Sequence, residues 1–197
     1  MQKNYQELEQ ISFPTFKGIM VNMMPIVVGD IKSLPEELKP YQHLINKTKL
    51  EQGSIAYLTV RESIITGSKT QSRAGIHVEA PKLNCWGGGN WGGRIDSKGI
   101  YMASNDGACN VWNEYIEERD QFGACSPQTK PEKMKANMLY WLTDKTPHEA
   151  IPSVDGFERQ FFRLVSDEVS LWFSQHNTPN PLGILPTCEI VDYNKFH

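Results

Sequence analysis

The chain is poor in cysteine: four in 197 residues, Cys85, Cys109, Cys125 and Cys188, with no C-x-x-C pair among them. That spacing excludes a structural zinc knuckle and supplies no disulfide framework. A reducing intracellular compartment is therefore the expected setting, with each cysteine a small core residue rather than a nucleophile. Long apolar runs are missing as well. None approaches the roughly 20 residues of a membrane span, and no apolar stretch precedes residue 19, so neither a secretory signal nor a membrane anchor is expected. Charge is nearly balanced, with 20 Lys and Arg against 23 Asp and Glu. A net charge of -3 gives no electrostatic basis for a nucleic-acid or membrane partner. The glycine-rich stretch has no following G-K-[ST], which excludes a phosphate loop. With these absences the expectation is a cytoplasmic setting and a small-molecule or amino-acid partner.

What is present is enough for one folded unit. Hydrophobic residues make up 39% and charged residues 22%, the balance of a globular rather than a disordered chain. No repeat or linker divides the chain, so a single domain over 1–197 is expected. Short apolar stretches separated by turn residues dominate. Residues 16–28, 54–66, 100–104, 109–112, 138–143 and 157–165 read as strands, with a last one at 188–191. Residues 5–11, 34–49 and 113–121 read as helices, the second capped by Ser33 and carrying Pro35 and two acids in its first turn. This pattern predicts a mainly β sandwich or barrel with a few peripheral α-helices.

Chemistry concentrates in two stretches. Gly75-Ile76-His77-Val78-Glu79 puts a histidine and a carboxylate two residues apart, and on extended backbone such residues point the same way. Thr146-Pro147-His148-Glu149-Ala150-Ile151-Pro152 supplies a second imidazole, with Arg159 and Arg163 following it by 11 and 15 residues. Two imidazoles and one carboxylate leave open positions on an octahedral metal, a donor set suited to non-haem Fe(II). An arginine facing a strand-lined interior is costly without an anion to meet it. His176 is the main rival ligand. Tyr57, Tyr101 and Tyr140 read as strand packing. In residues 84–93, five glycines surround Trp86 and Trp91, as in a covering lid or a surface loop pinned by its rings.

Histidine-x-acid, a distal histidine and an arginine about ten residues on together resemble the Fe(II)/2-oxoglutarate-dependent oxygenases. The segment from His148 to Pro152 followed by Arg159 is similar to the distal-histidine region of prolyl-hydroxylase-like members, and the two arginine offsets are similar to those of the taurine-dioxygenase-like branch. The resemblance spans residues 54–173. It implies a double-stranded β-helix (jelly roll), with His77, Glu79 and His148 as Fe(II) ligands and Arg159 as the 2-oxoglutarate anchor. Arg163, Arg73, Trp86 and Trp91 become candidate substrate contacts. Most members carry aspartate in the first motif, where this chain has Glu79 with its longer arm. Two further readings use the same residues: a cupin-like metalloenzyme that needs no 2-oxoglutarate, and a metal-free jelly-roll binding module with the two tryptophans as its platform.

Overall fold

In the longest apolar strand, side chains alternate between two destinations. Ala56, Leu58 and Val60 enter one core, while Tyr57, Thr59 and Arg61 point to the other side. The computed structural model describes residues 4–67, 69–79 and 98–193, and in these the fold is mainly β with few helices. The strands are β1 (Tyr5–Gln10), β2 (Met20–Val27), β3 (Ile55–Ile64), β4 (Ile100–Ser104), β5 (Cys109–Val111), β6 (Glu132–Lys133), β7 (Met138–Leu142), β8 (His148–Ala150), β9 (Glu158–Val165), β10 (Leu171–Phe173) and β11 (Glu189–Val191). An antiparallel six-stranded sheet runs β1-β7-β4-β9-β3-β2, and a smaller antiparallel sheet runs β6-β5-β8. Strands β10 and β11 form a parallel pair.

The large sheet has two different faces. One carries Leu58, Val60, Tyr101, Ala103, Leu139, Trp141, Phe162 and Leu164 and packs on Leu34, Leu38, Tyr41, Leu44 and Ile45 from the segment between β2 and β3. Burying each large aliphatic or aromatic side chain there contributes about 1.5–3 kcal/mol. The opposite face carries Met102, Tyr140 and Tyr57, which pack with Val111 and Met134 of the smaller-sheet side and with Trp172 and Phe173. Strand β2 feeds both cores because its pairing slips between Val21 and Met24, and Met23 takes a positive φ of 49°. The Trp172 indole N–H donates to the Met23 carbonyl at 2.8 Å and fixes that irregularity.

Three sequence expectations fail. Residues 5–11 form β1, not a helix, because Tyr5 to Gln10 pair along β7. The helix expected over 34–49 is broken. It consists of 3-10 turns at Ile31–Ser33 and Glu36–Tyr41 and a single α-turn at Gln42–Ile45, with Pro40 inside the second 3-10 segment. Ser33 caps none of it: its hydroxyl binds back to the Val27 and Asp30 carbonyls. Residues 113–121 hold no helix. Their polar groups are drawn into tertiary contacts: Asn113 accepts from the Asn4 amide, and the Glu114 carboxylate accepts from the Gln128 and Thr129 amides. Among the described residues, no helix is long and apolar enough to cross a membrane.

Candidate metal centre

His77 and His148 lie 71 residues apart in sequence and directly opposite each other in space. Each donates its backbone N–H to the other's carbonyl at 3.0 Å, a reciprocal antiparallel pair. His77 is also bridged to Ala124, so its short extended segment runs between Ala124 and β8. This pairing puts the two rings on one face, with centroids 4.6 Å apart. The expected same-face placement of His77 and Glu79 is found without a regular strand. Nitrogen and oxygen donors of His77, Glu79 and His148 all lie within 4.8 Å of one another. Among the described residues, no other group of three histidine, cysteine or carboxylate side chains converges in this way.

Ring orientation decides what the imidazoles can do. His77 Nδ1 lies 2.8 Å from the Gly75 carbonyl oxygen, and His148 Nδ1 lies 3.0 Å from that of Thr146. A carbonyl only accepts, so each Nδ1 carries a proton, and Nε2 is the nitrogen each ring can offer to a metal. Backbone carbonyls orient metal-binding histidines in this way. Burial and the neighbouring His148 push the His77 pKa down to about 3, so this imidazole is neutral at physiological pH. Burial works to raise the Glu79 pKa, but the Arg163 guanidinium and the two imidazoles outweigh it and hold the carboxyl well below its usual range. Arg163 Nη1 donates to Glu79 Oε1 at 2.8 Å, and the same oxygen is 3.7 Å from His148 Nε2. Two donors on opposite sides of one ion, each at about 2.1 Å, stand at most about 4.2 Å apart, so this separation fits a shared cation. The carboxylate's remaining lone pairs serve a metal while Arg163 holds Oε1. The donor set suits a divalent ion, and its spread of up to 4.8 Å would close slightly for all three groups to share one.

A cavity of about 140 Å³ opens over these groups between the two sheets. Arg61, Arg159 and Arg163 reach it from the large sheet, and Met23, Met102, Met134, Met138 and Phe161 give it apolar walls. Arg159, expected to anchor a co-substrate, is already engaged. Its Nε donates to Asp106 Oδ2 at 2.9 Å and its Nη1 to Gln71 Oε1 at 2.7 Å, in a pair that is almost wholly buried. Asp106 is in turn fixed by the Ser104 hydroxyl and the Ala108 amide. Arg73 lines the cavity while its Nη1 donates to the Phe122 carbonyl. His176 lines the cavity but lies outside the three-ligand cluster. Tyr140 is at the cavity wall, whereas Tyr101 belongs to the opposite core. Cys109 also lines the cavity, with its thiol pushed up to about 12 by burial, so it stays protonated. Trp86 and Trp91, with the stretch 84–93, lie outside the described residues.

Compared with family models, curated proteins and solved structures, the chain matches none of them. The site must be interpreted from its own chemistry. Three participants escaped the sequence reading: Arg61, Asp106 and Gln71. Arg61 had a signal, since it is a charged residue within the most apolar strand. Asp106 and Gln71 sit in turns, where acids and amides are ordinary, and only the fold aims them at Arg159.

Proposed function

We propose that the protein is a metal-dependent oxygenase of the Fe(II)/2-oxoglutarate type, acting on a small molecule or an amino-acid side chain. The observation that carries this reading is the pair of backbone-oriented imidazoles whose donor atoms converge with a Glu79 carboxylate oxygen within 4.8 Å. His77, Glu79 and His148 would hold the metal on one face and leave its other positions to ligands. When bound, Fe(II) with a 2-oxo acid supplies the dioxygen activation needed to oxidise a C–H bond. The chain's own groups do the rest. Arg163 keeps Glu79 ionised and aimed, the methionines and Phe161 limit water in the cavity, and the cationic wall favours an anionic co-substrate. Under this reading the six- and three-stranded sheets are the two halves of a jelly roll, with the metal between them.

The test is an anaerobic titration with Fe(II) and then 2-oxoglutarate. The expected result is a weak visible charge-transfer band in the wild type that is lost in His77→Ala and His148→Ala. A wild type that binds Fe(II) yet gives no band would sink the 2-oxoglutarate reading. The engagement of Arg159 by Asp106 and Gln71 favours one other interpretation, a cupin-like metalloenzyme that uses the same ligands without a 2-oxo acid. In that case Fe(II) binds through the same histidines and 2-oxoglutarate leaves the spectrum unchanged.

A further inference from the structure

Four guanidinium groups line one small cavity; two have carboxylate partners, and a third, the exposed Arg73, donates to the Phe122 carbonyl. Arg163 is held by Glu79 and Arg159 by Asp106. Arg61 stands apart. It sits on β3 opposite Phe161, on a strand immediately beside the one that carries the other two arginines. Among the described residues its guanidinium makes no hydrogen bond and no ion pair, although the side chain is partly buried and lines the cavity. Burial and the positive field of Arg163 both disfavour its charge, with Glu79 offsetting part of this. An arginine does not escape by releasing its proton. A cation partly withdrawn from water beside others of like sign is stabilised where an anion meets it.

The charge balance agrees. Four guanidiniums and Lys135 against Glu79, Asp106 and Glu7 leave two positive charges at the cavity, and a divalent ion at the histidines would raise this to four. The ligand chemistry follows from the surroundings. A planar guanidinium matches a carboxylate through two parallel N–H bonds. The methionine and phenylalanine walls suit a short methylene chain, whereas phosphate sites gather backbone N–H groups.

We infer that Arg61 holds a free carboxylate of the small molecule taken into this cavity, so that the ligand is a carboxylic acid. Joined to the metal reading on which it builds, this makes Arg61, and not Arg159, the residue that receives the far carboxylate of a 2-oxo dicarboxylate. Arg159 and Arg163 then act as positioning residues. The first ties β9 to the turn after β4, and the second aims Glu79.

Calorimetric titration of the full chain tests this, with wild type, Arg61→Met and Arg61→Lys compared in Mn(II) and in EDTA. The probes are 2-oxoglutarate, pyruvate, succinate and inorganic phosphate. In Mn(II), Arg61→Met should weaken 2-oxoglutarate about 10- to 150-fold, the range for loss of a charged hydrogen-bonded contact. Mn(II) affinity and the thermal transition should stay near wild type, and Arg61→Lys should recover part of the loss. Pyruvate, which lacks the far carboxylate, should bind both proteins alike. Unchanged 2-oxoglutarate affinity in a folded Arg61→Met overturns the inference. If the wild type binds Mn(II) but no 2-oxo acid, the oxygenase reading fails alone. Succinate in EDTA then decides Arg61: binding that disappears in Arg61→Met upholds the carboxylate site, and no binding in the wild type overturns it. Arg61-dependent binding of phosphate without any carboxylate overturns the ligand class.

Discussion

His77 is held neutral by burial and by a second imidazole against its ring, and that has a cost in acid. In the metal-free chain, the unfolded state takes up a proton near the ordinary histidine value of 6.5, while the folded state refuses it down to about 3. The unfolded state therefore binds more protons throughout this window, and stability falls as pH falls, at up to about 1.4 kcal/mol per pH unit from this residue. Glu79 acts in the same direction but lower down. Its folded pKa is depressed, so its stabilising effect is present above the ordinary value of 4.5 and lost below it. Urea unfolding at pH 6.5 and 5.0 isolates the histidine. The wild type should lose about 2 kcal/mol more across that interval than His77→Gln does. Equal losses would show that His77 is not held neutral by its surroundings. Nothing at this scale was open to the sequence beyond residue type, because a shifted pKa depends on neighbours 71 residues away.

At the scale of elements, the candidate metal centre depends on a crossing rather than on a strand. The 76–79 segment lies against Ala124, with the Val78 N–H donating to the Gly123 carbonyl at 2.9 Å. Gly123 has a φ of +86°, and a Cβ there would stand 2.4 Å from the Val78 carbonyl oxygen. Gly53 has nearly the same φ, +84°, with nothing within 4 Å. The pair separates backbone strain from collision. Gly53→Ala should cost about 1–2 kcal/mol of stability and leave Mn(II) affinity unchanged. Gly123→Ala should cost more and weaken Mn(II) at least about tenfold, because the 76–79 segment must shift and carry both His77 and Glu79 with it. Calorimetry on the two variants checks this, and equal metal affinity in both would show that the crossing does not position the ligands. Strands were readable where alternation was strong, as in Ile55–Ile64 and Glu158–Val165. Tyr5–Gln10 was not, since its polar side chains match a helix as well as an edge strand and only pairing with Met138–Leu142 decides. Residues 113–121 misled for a related reason: their helical composition is overridden by bonds from Asn4, Gln128 and Thr129. The meeting of His77, Glu79 and His148 was expected from their motifs, whereas the wiring of Arg159 to Asp106 and Gln71 exists only after two separate turns meet β9.

For the whole molecule, the two sheets meet through different contacts at different places. On one side Met102 and Tyr140 of the large sheet pack with Val111 and Met134. At the cavity, cationic side chains from the large sheet face the imidazoles of the small sheet's edge. An ion bound to His77, Glu79 and His148 adds a crosslink between the 76–79 segment and β8 that exists only in the folded state, since the ligands are scattered along the unfolded chain. Binding to the folded state alone stabilises by an amount set by mass action, about 2.7 kcal/mol at a free metal concentration 100 times Kd. For a chain of this size that is a rise in Tm of about 5–10 °C. Thermal unfolding of EDTA-treated protein, repeated with excess Mn(II), should show this rise in the wild type and not in His148→Ala. Arg61→Met should keep it, because that guanidinium serves the ligand and not the ion. A wild-type Tm indifferent to Mn(II), Fe(II) and Zn(II) alike would mean that the three donors converge without forming a metal site, and every reading built on a bound ion would fall with it.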